Sequence, residues 1–180
     1  GKSTIVKLIT RMYDPQEGTI LVNDIPIWNY NLESLRSSIA VVHQDFARFA
    51  LTLGENIALG DPSGKTSQDR VIMAAKLSGA DQTAAKLPQG YNTQLTRMFE
   101  GGVELSGGEW QQIALARAFV RDAQLVILDE PTAALDAQAE RELFARFRKL
   151  IEGHTAIIIS HRLSTVSMAD HIVVLANGTV

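Results

Sequence analysis

Leu125-Val126-Ile127-Leu128-Asp129-Glu130 is a run of four aliphatic residues closed by two carboxylates. A strand with no polar alternation must be covered on both faces, which suits parallel strands sandwiched between helices. Ile39 to Val42 and Ala156 to Ile159 repeat the pattern, and His171 to Ala176 reads as another strand, closed by Asn177-Gly178. Between these runs the apolar spacing is helical. Ile5, Leu8, Ile9 and Met12 mark a helix stopped by Asp14-Pro15, and Leu143, Phe144, Phe147, Leu150 and Ile151 mark one over Ala137 to Ile151. Thr19 to Ile27 reads as a strand or a hairpin around Asn23-Asp24. Strands alternating with helices predict an α/β fold with a mostly parallel central sheet.

The stretch from Thr52 to Lys86 differs in being rich in Ala, Ser and Gln. It carries helical patches at Val71 to Leu77 and Asp81 to Leu87, broken at Pro88-Gln89-Gly90, and Ser106 opens a further helix to Val120. This region predicts a helical insertion in the α/β core.

The composition narrows the function classes. The chain has 180 residues, 46% of them hydrophobic, which suits one globular domain. Seventeen Lys and Arg against twenty Asp and Glu give a net charge of −3, so no broad attraction to nucleic acid is expected and any anion must be held locally. There is no cysteine, hence neither disulfides nor thiolate chemistry. No apolar run reaches the roughly 18 residues of a membrane span, and no signal peptide pattern opens the chain. The chain begins without Met, on residues that read as the tail of a longer motif, and is expected to be a fragment.

Three segments carry chemistry. Gly1-Lys2-Ser3-Thr4 matches the last part of the P-loop pattern, in which helix N-terminal amides hold phosphates, Lys meets the terminal phosphates and Ser meets Mg2+. Asp129, at the end of a buried strand, is placed to hold that Mg2+, and Glu130 to accept a proton from attacking water. In Leu105-Ser106-Gly107-Gly108-Glu109 the two glycines allow close approach of a ligand to an anion-binding helix start. Ser106 and Glu109 also fit a capping box, which satisfies the helix N–H groups without a ligand but does not explain the glycine pair.

With these segments in order, the chain resembles an ATP-binding cassette (ABC) nucleotide-binding domain. Lys2, Ser3 and Thr4 fall on the Walker A tail, Gln44 on the Q-loop glutamine, Leu105 to Glu109 on the signature motif, and Leu125 to Asp129 on Walker B. Glu130 falls on the catalytic glutamate, Ala134-Leu135-Asp136 on the D-loop and His161 on the switch histidine. The resemblance implies a P-loop NTPase fold with a helical signature subdomain over about residues 46–120, inserted in a single domain incomplete at both ends. It implies ATP and Mg2+ as ligands. Glu130, His161 and Gln44 would be catalytic; Gly1, Lys2, Ser3, Thr4, Gln44, Ser106, Gly107, Gly108, Asp136 and His161 would bind nucleotide; Ser3, Gln44 and Asp129 would meet the metal. Two such domains would face head to tail, each ATP lying between Lys2 of one and Ser106 of the other.

Ser160-His161-Arg162-Leu163-Ser164-Thr165-Val166, followed by Ala169-Asp170, resembles exporter-type cassettes, and Glu100-Gly101-Gly102 resembles the exporter x-loop, from which Phe99 and Gly101 depart. Glu109 replaces the commoner signature Gln, and Trp110-Gln111-Gln112 a more basic run. The implied protein is an export motor, a homodimer or heterodimer, with a transmembrane domain fused upstream, at the cytoplasmic face of a bacterial inner membrane. An importer motor or a non-transport ABC ATPase stands as the alternative. Residues 1–180 by themselves are expected to hydrolyse ATP weakly.

Overall fold

The computed structural model describes residues 1–98, 100–131, 137–151, 153–160, 162–166, 169–176 and 178–179. Its centre is a three-stranded parallel sheet of β3 (Ile39–Val42), β4 (Leu125–Asp129) and β5 (Thr155–Ile159), with β4 in the middle. Ile39 pairs with Leu125 and Val42 with Leu128, while Leu125 pairs with Thr155 and Asp129 with Ile159. The three strands therefore end level. Residues alternate between two cores, as a strand's period of two demands. Ala40, Val42, Val126, Leu128, Ala156 and Ile158 face the larger core, and Ile39, Val41, Ile127, Ile157 and Ile159 the smaller one. Aliphatic continuity along Leu125 to Leu128 is thus explained by helices on both sides.

The smaller core is covered by Val6 of α1 (Lys2–Ile9) and Leu35 of α2 (Leu32–Ser37), with Ile27 beside them. Helix α1 starts and stops three residues earlier than the apolar spacing suggests. Arg11 takes a left-handed φ of 50°, its N–H reaching Leu8 O and that of Met12 reaching Lys7 O, which closes the helix in a Schellman turn without glycine. The hairpin around Asn23-Asp24 forms, shortened to β1 (Leu21–Val22) and β2 (Ile25–Pro26); both turn residues have positive φ, as a type I′ turn requires. Helix α2 had no apolar periodicity to announce it. It is started by Asn31, whose Oδ1 accepts the Ser34 N–H at 3.1 Å.

Over the larger core lie α3 (Leu53–Ala58), α4 (Gln68–Ser78), α5 (Ala80–Lys86), α6 (Gly107–Phe119) and α7 (Ala137–Leu150). Helix α6 is buried almost all round, through Trp110, Ile113, Ala114, Leu115, Ala116, Ala118 and Phe119, as a helix at the middle of a core should be. Phe119 stacks on Phe147 of α7 with ring centroids 6.1 Å apart. Residues 171–175 do not form the expected strand. A strand is held by ladder hydrogen bonds to a neighbour, and among the described residues none runs beside this segment; only Ala176 pairs, with Thr179, and Ile172, Val173 and Val174 are exposed. A short helix, α8 (Leu163–Val166), follows β5. Among the described residues no helix is long and apolar enough to cross a membrane.

Candidate functional site

Because β3, β4 and β5 are parallel and end level, whatever follows each strand emerges at the same edge of the sheet. Asp129 is the last residue of β4, only 6% exposed. Glu130 follows with its N–H bonded to Ile159 O at 2.9 Å and a left-handed φ of 50°, a conformation that costs of order 1–3 kcal/mol for a residue with a side chain. Gln44 lies two residues beyond β3 and is exposed.

Helix α1 brings its first turn to this edge. Ser3 Oγ donates to Asp129 Oδ2 at 3.0 Å across 126 residues of sequence. Gly1 is the N-cap without a capping side chain, Lys2 and Thr4 flank Ser3, and all four are exposed, so the amides of the first turn are not covered by a side-chain cap. A helix start with positive dipole end and free amides attracts anions. The two oxygens of Ser3 and Asp129 are hard donors suited to Mg2+, which binds through one or two protein oxygens and completes its shell with phosphate and water. Among the described residues there is no cluster of three or more His, Cys, Asp or Glu side chains that could hold a metal unaided. That donor set fits an ion carried with a nucleotide.

The signature residues sit at the start of α6. Ser106 is its N-cap and the capping box is complete: the Glu109 N–H reaches Ser106 Oγ at 3.3 Å, while the Ser106 N–H and Oγ–H donate to Glu109 Oε2 at 2.9 and 2.8 Å. The capping role is real, and Gly107 is exposed with nothing within 4 Å of where a Cβ would stand, so neither packing nor positive φ calls for glycine there. The hydrogen bonds of Ser106 run to Glu109 and not to Ser3 or Asp129. Asp136 and His161, with Ala134, Leu135 and Phe99, lie outside the described residues.

Two buried polar contacts escaped the sequence reading. Gln111, one turn into α6, donates through Nε2 to Pro131 O at 2.5 Å and so fastens the signature helix to the residue after Glu130. Glu140 of α7, buried, is bonded to Arg162 and accepts from Thr165 Oγ1 at 3.4 Å, which ties α7 to the segment after β5. The only sign of Gln111 was an amide beside Trp110 on a helix that is mostly apolar.

Comparison with known proteins agrees with this geometry. The sequence pattern of the ABC transporter family matches residues 1–133. ABC transporter B family member 14 of Arabidopsis thaliana is 44% identical over the whole chain, which covers 14% of that protein. The ATP-dependent lipid A-core flippase of Burkholderia orbicola is 42% identical over the whole chain, covering 29% of the flippase. A bacterial Atm1-family ABC exporter solved with ATP bound superposes with a TM-score of 0.90 at 41% identity, over 99% of this chain and 30% of that one. The chain thus spans less than a third of each of these proteins. Matched along its whole length, with α1 and β4 joined through Ser3 and Asp129, the chain belongs to the ABC transporter family and to its ATPase domain.

Proposed function

We propose that this chain is the motor of an exporter, binding ATP with Mg2+ where the start of α1 meets the end of β4 and hydrolysing it to drive transport across a membrane. The hydrogen bond between Ser3 and Asp129 carries the reading, because it converges a phosphate-binding helix start and a metal-binding carboxylate. Lys2 and the amides that follow Gly1 hold the triphosphate, and Ser3, Asp129 and Gln44 hold Mg2+. Bound there, Mg2+ offsets the charge on the terminal phosphates. Glu130 takes the proton of the attacking water, and His161 supports the γ-phosphate and that water.

Ser106, Gly107 and Gly108 complete the site of a second ABC domain, and Asp136 contributes to nucleotide binding. Whether identical or not, two such domains close head to tail on ATP and open after hydrolysis. The working protein carries a membrane-spanning part and acts at the cytoplasmic face of a bacterial inner membrane. The relatives named as exporter and flippase support export. The chain itself is organised as a single domain with the helices of residues 46–120 set into its α/β core.

The test is the full-length protein in lipid with Glu130→Gln. The expected result is ATPase activity lowered at least about 100-fold, with ATP binding kept. A rate equal to wild type would remove Glu130 from the chemistry.

A further inference from the structure

Arg117 of α6 and Arg121, two residues beyond the end of that helix, both spend their guanidinium groups on acceptors between Arg36 and Gly60. Arg121 holds structure remote from the nucleotide edge: Nε donates to Gly60 O at 2.8 Å, and Nη1 to Arg36 O at 3.1 Å and Ile39 O at 2.8 Å. Arg117 reaches elsewhere. Its Nε donates to Asn56 O at 2.8 Å, Nη2 to Asn56 Oδ1 at 2.6 Å and Nη1 to Ala47 O at 2.6 Å.

Ala47 is three residues beyond Gln44, in a segment, residues 43–50, without helix or strand. Its path is therefore set by side chains, and several of them lead back to α6. The Arg117 guanidinium lies 5.1 Å from the Phe49 ring centroid, and Asn56 Nδ2 donates to Phe49 O at 3.1 Å and Leu51 O at 3.2 Å. Nearer the start of α6, the Arg48 guanidinium stands 6.0 Å from the ring of Trp110, a fully buried side chain. Burial lowers the Arg117 pKa to about 10, so the group stays charged at neutral pH.

We propose that Arg117 is a positioning residue for ATP hydrolysis, clamping the irregular segment after Gln44 onto the helix that begins at Ser106 so that the two move as one body. This rests on the reading of Gln44, Ser106 and Glu130 given above. A planar guanidinium serves three acceptors and a ring face together, whereas an ammonium is a point charge that cannot span them. Through this clamp, any displacement of Gln44 reaches Ser106 without passing through the sheet.

The experiment compares Arg117→Lys with Arg121→Lys in the full-length protein, beside wild type and Glu130→Gln. Thermal unfolding, kcat and KM for ATP, and binding of a fluorescent ATP analogue are measured on each. Both lysine variants are expected to melt several degrees lower, since both lose hydrogen bonds to carbonyls. Only Arg117→Lys is expected to lower kcat per folded molecule, about tenfold, with KM and analogue binding within roughly twofold of wild type. An unchanged kcat in Arg117→Lys, or an equal fall in Arg121→Lys, overturns the clamp and leaves the site reading standing. A wild-type rate that survives Glu130→Gln overturns the site reading and the clamp with it.

Discussion

Ser3 Oγ and Asp129 Oδ2 stand 3.0 Å apart, one at the first turn of a helix and the other at the end of a buried strand. Removing the hydroxyl strips a buried carboxylate of a donor, at a cost of about 1–3 kcal/mol, and deletes one of the hard oxygens offered to Mg2+ beside those of Asp129 and Gln44. Ser3→Ala is expected to raise the Mg2+ concentration for half-maximal ATPase activity about tenfold, and Ser3→Thr, which keeps the oxygen, to raise it far less. Titration of activity with Mg2+ at saturating ATP checks this. Equal curves for wild type and Ser3→Ala would show that Ser3 only packs.

Glu109 places a carboxylate beside the helix start that is read as the anion site, where it is engaged by Ser106. Its charge opposes a nucleotide. Gln in its place keeps an oxygen to accept from Ser106 and removes the charge, which is worth about 0.3–1 kcal/mol at an exposed helix terminus. Glu109→Gln is expected to lower KM for ATP roughly two- to fivefold while lowering the melting temperature by about 1–4 °C, because a carboxylate in the first turn also stabilises the helix. The effect should shrink as salt is raised, because exposed charges are screened. A KM that rises instead would mean the carboxylate is needed for more than the cap.

Thr52 and Glu55 form a second capping box, at the start of α3. Glu55 Oε2 accepts the Thr52 N–H at 2.9 Å and the Thr52 hydroxyl at 2.8 Å, and these bonds to backbone and side chain hold its pKa below the ordinary 4.5. A carboxylate with a depressed folded pKa contributes stability that is present above the unfolded value and is lost as pH falls through the folded one. Thr52→Ala is therefore expected to cost about 1 kcal/mol at pH 7, and the gap from wild type to narrow below pH 4.5. It does not vanish, because the Glu55 N–H bond to Thr52 Oγ1 is independent of pH. Denaturant unfolding at a series of pH values measures both parts; a gap that widens in acid would contradict the assignment.

The sheet and its flanking helices were legible because their signals are local. Leu125 to Asp129 shows its burial on both faces in its own letters, and Ser106 shows its cap three residues before Glu109. What stayed hidden depends on pairs distant in sequence. Arg117 looks like any charge on a helix until Ala47 and Asn56 are found against it, 70 and 61 residues away. His171 to Ala176 reads as a strand by composition alone, yet composition does not supply a neighbour, and the segment stays exposed without one. At the site, motif order pointed to Ser3 and Asp129 separately; their hydrogen bond is tertiary and had to be seen.

Gly60 illustrates the same limit and gives a sharp test of how tightly α3 and α6 are joined. A Cβ built there would lie 1.9 Å from Arg117 O and 2.6 Å from Arg117 C, main-chain atoms that have no rotamer by which to retreat. The reason for glycine here, two residues past the end of α3, is thus the backbone of α6. Gly60→Ala must push α3 off α6, straining the Arg121 bond to Gly60 O and the Arg117 bonds to Asn56 together. Overpacking of this kind costs about 1–3 kcal/mol, and two fastened elements displaced at once place the expectation near the upper end. For a domain of this size that is a fall in melting temperature of roughly 5–10 °C. Gly54, whose Cβ would meet Tyr91 O at 3.3 Å, asks its neighbour to give by only a few tenths of an ångström, and Gly54→Ala should melt within a few degrees of wild type. Equal melting of the two variants would mean that α3 and α6 are not pressed together as the structure has them.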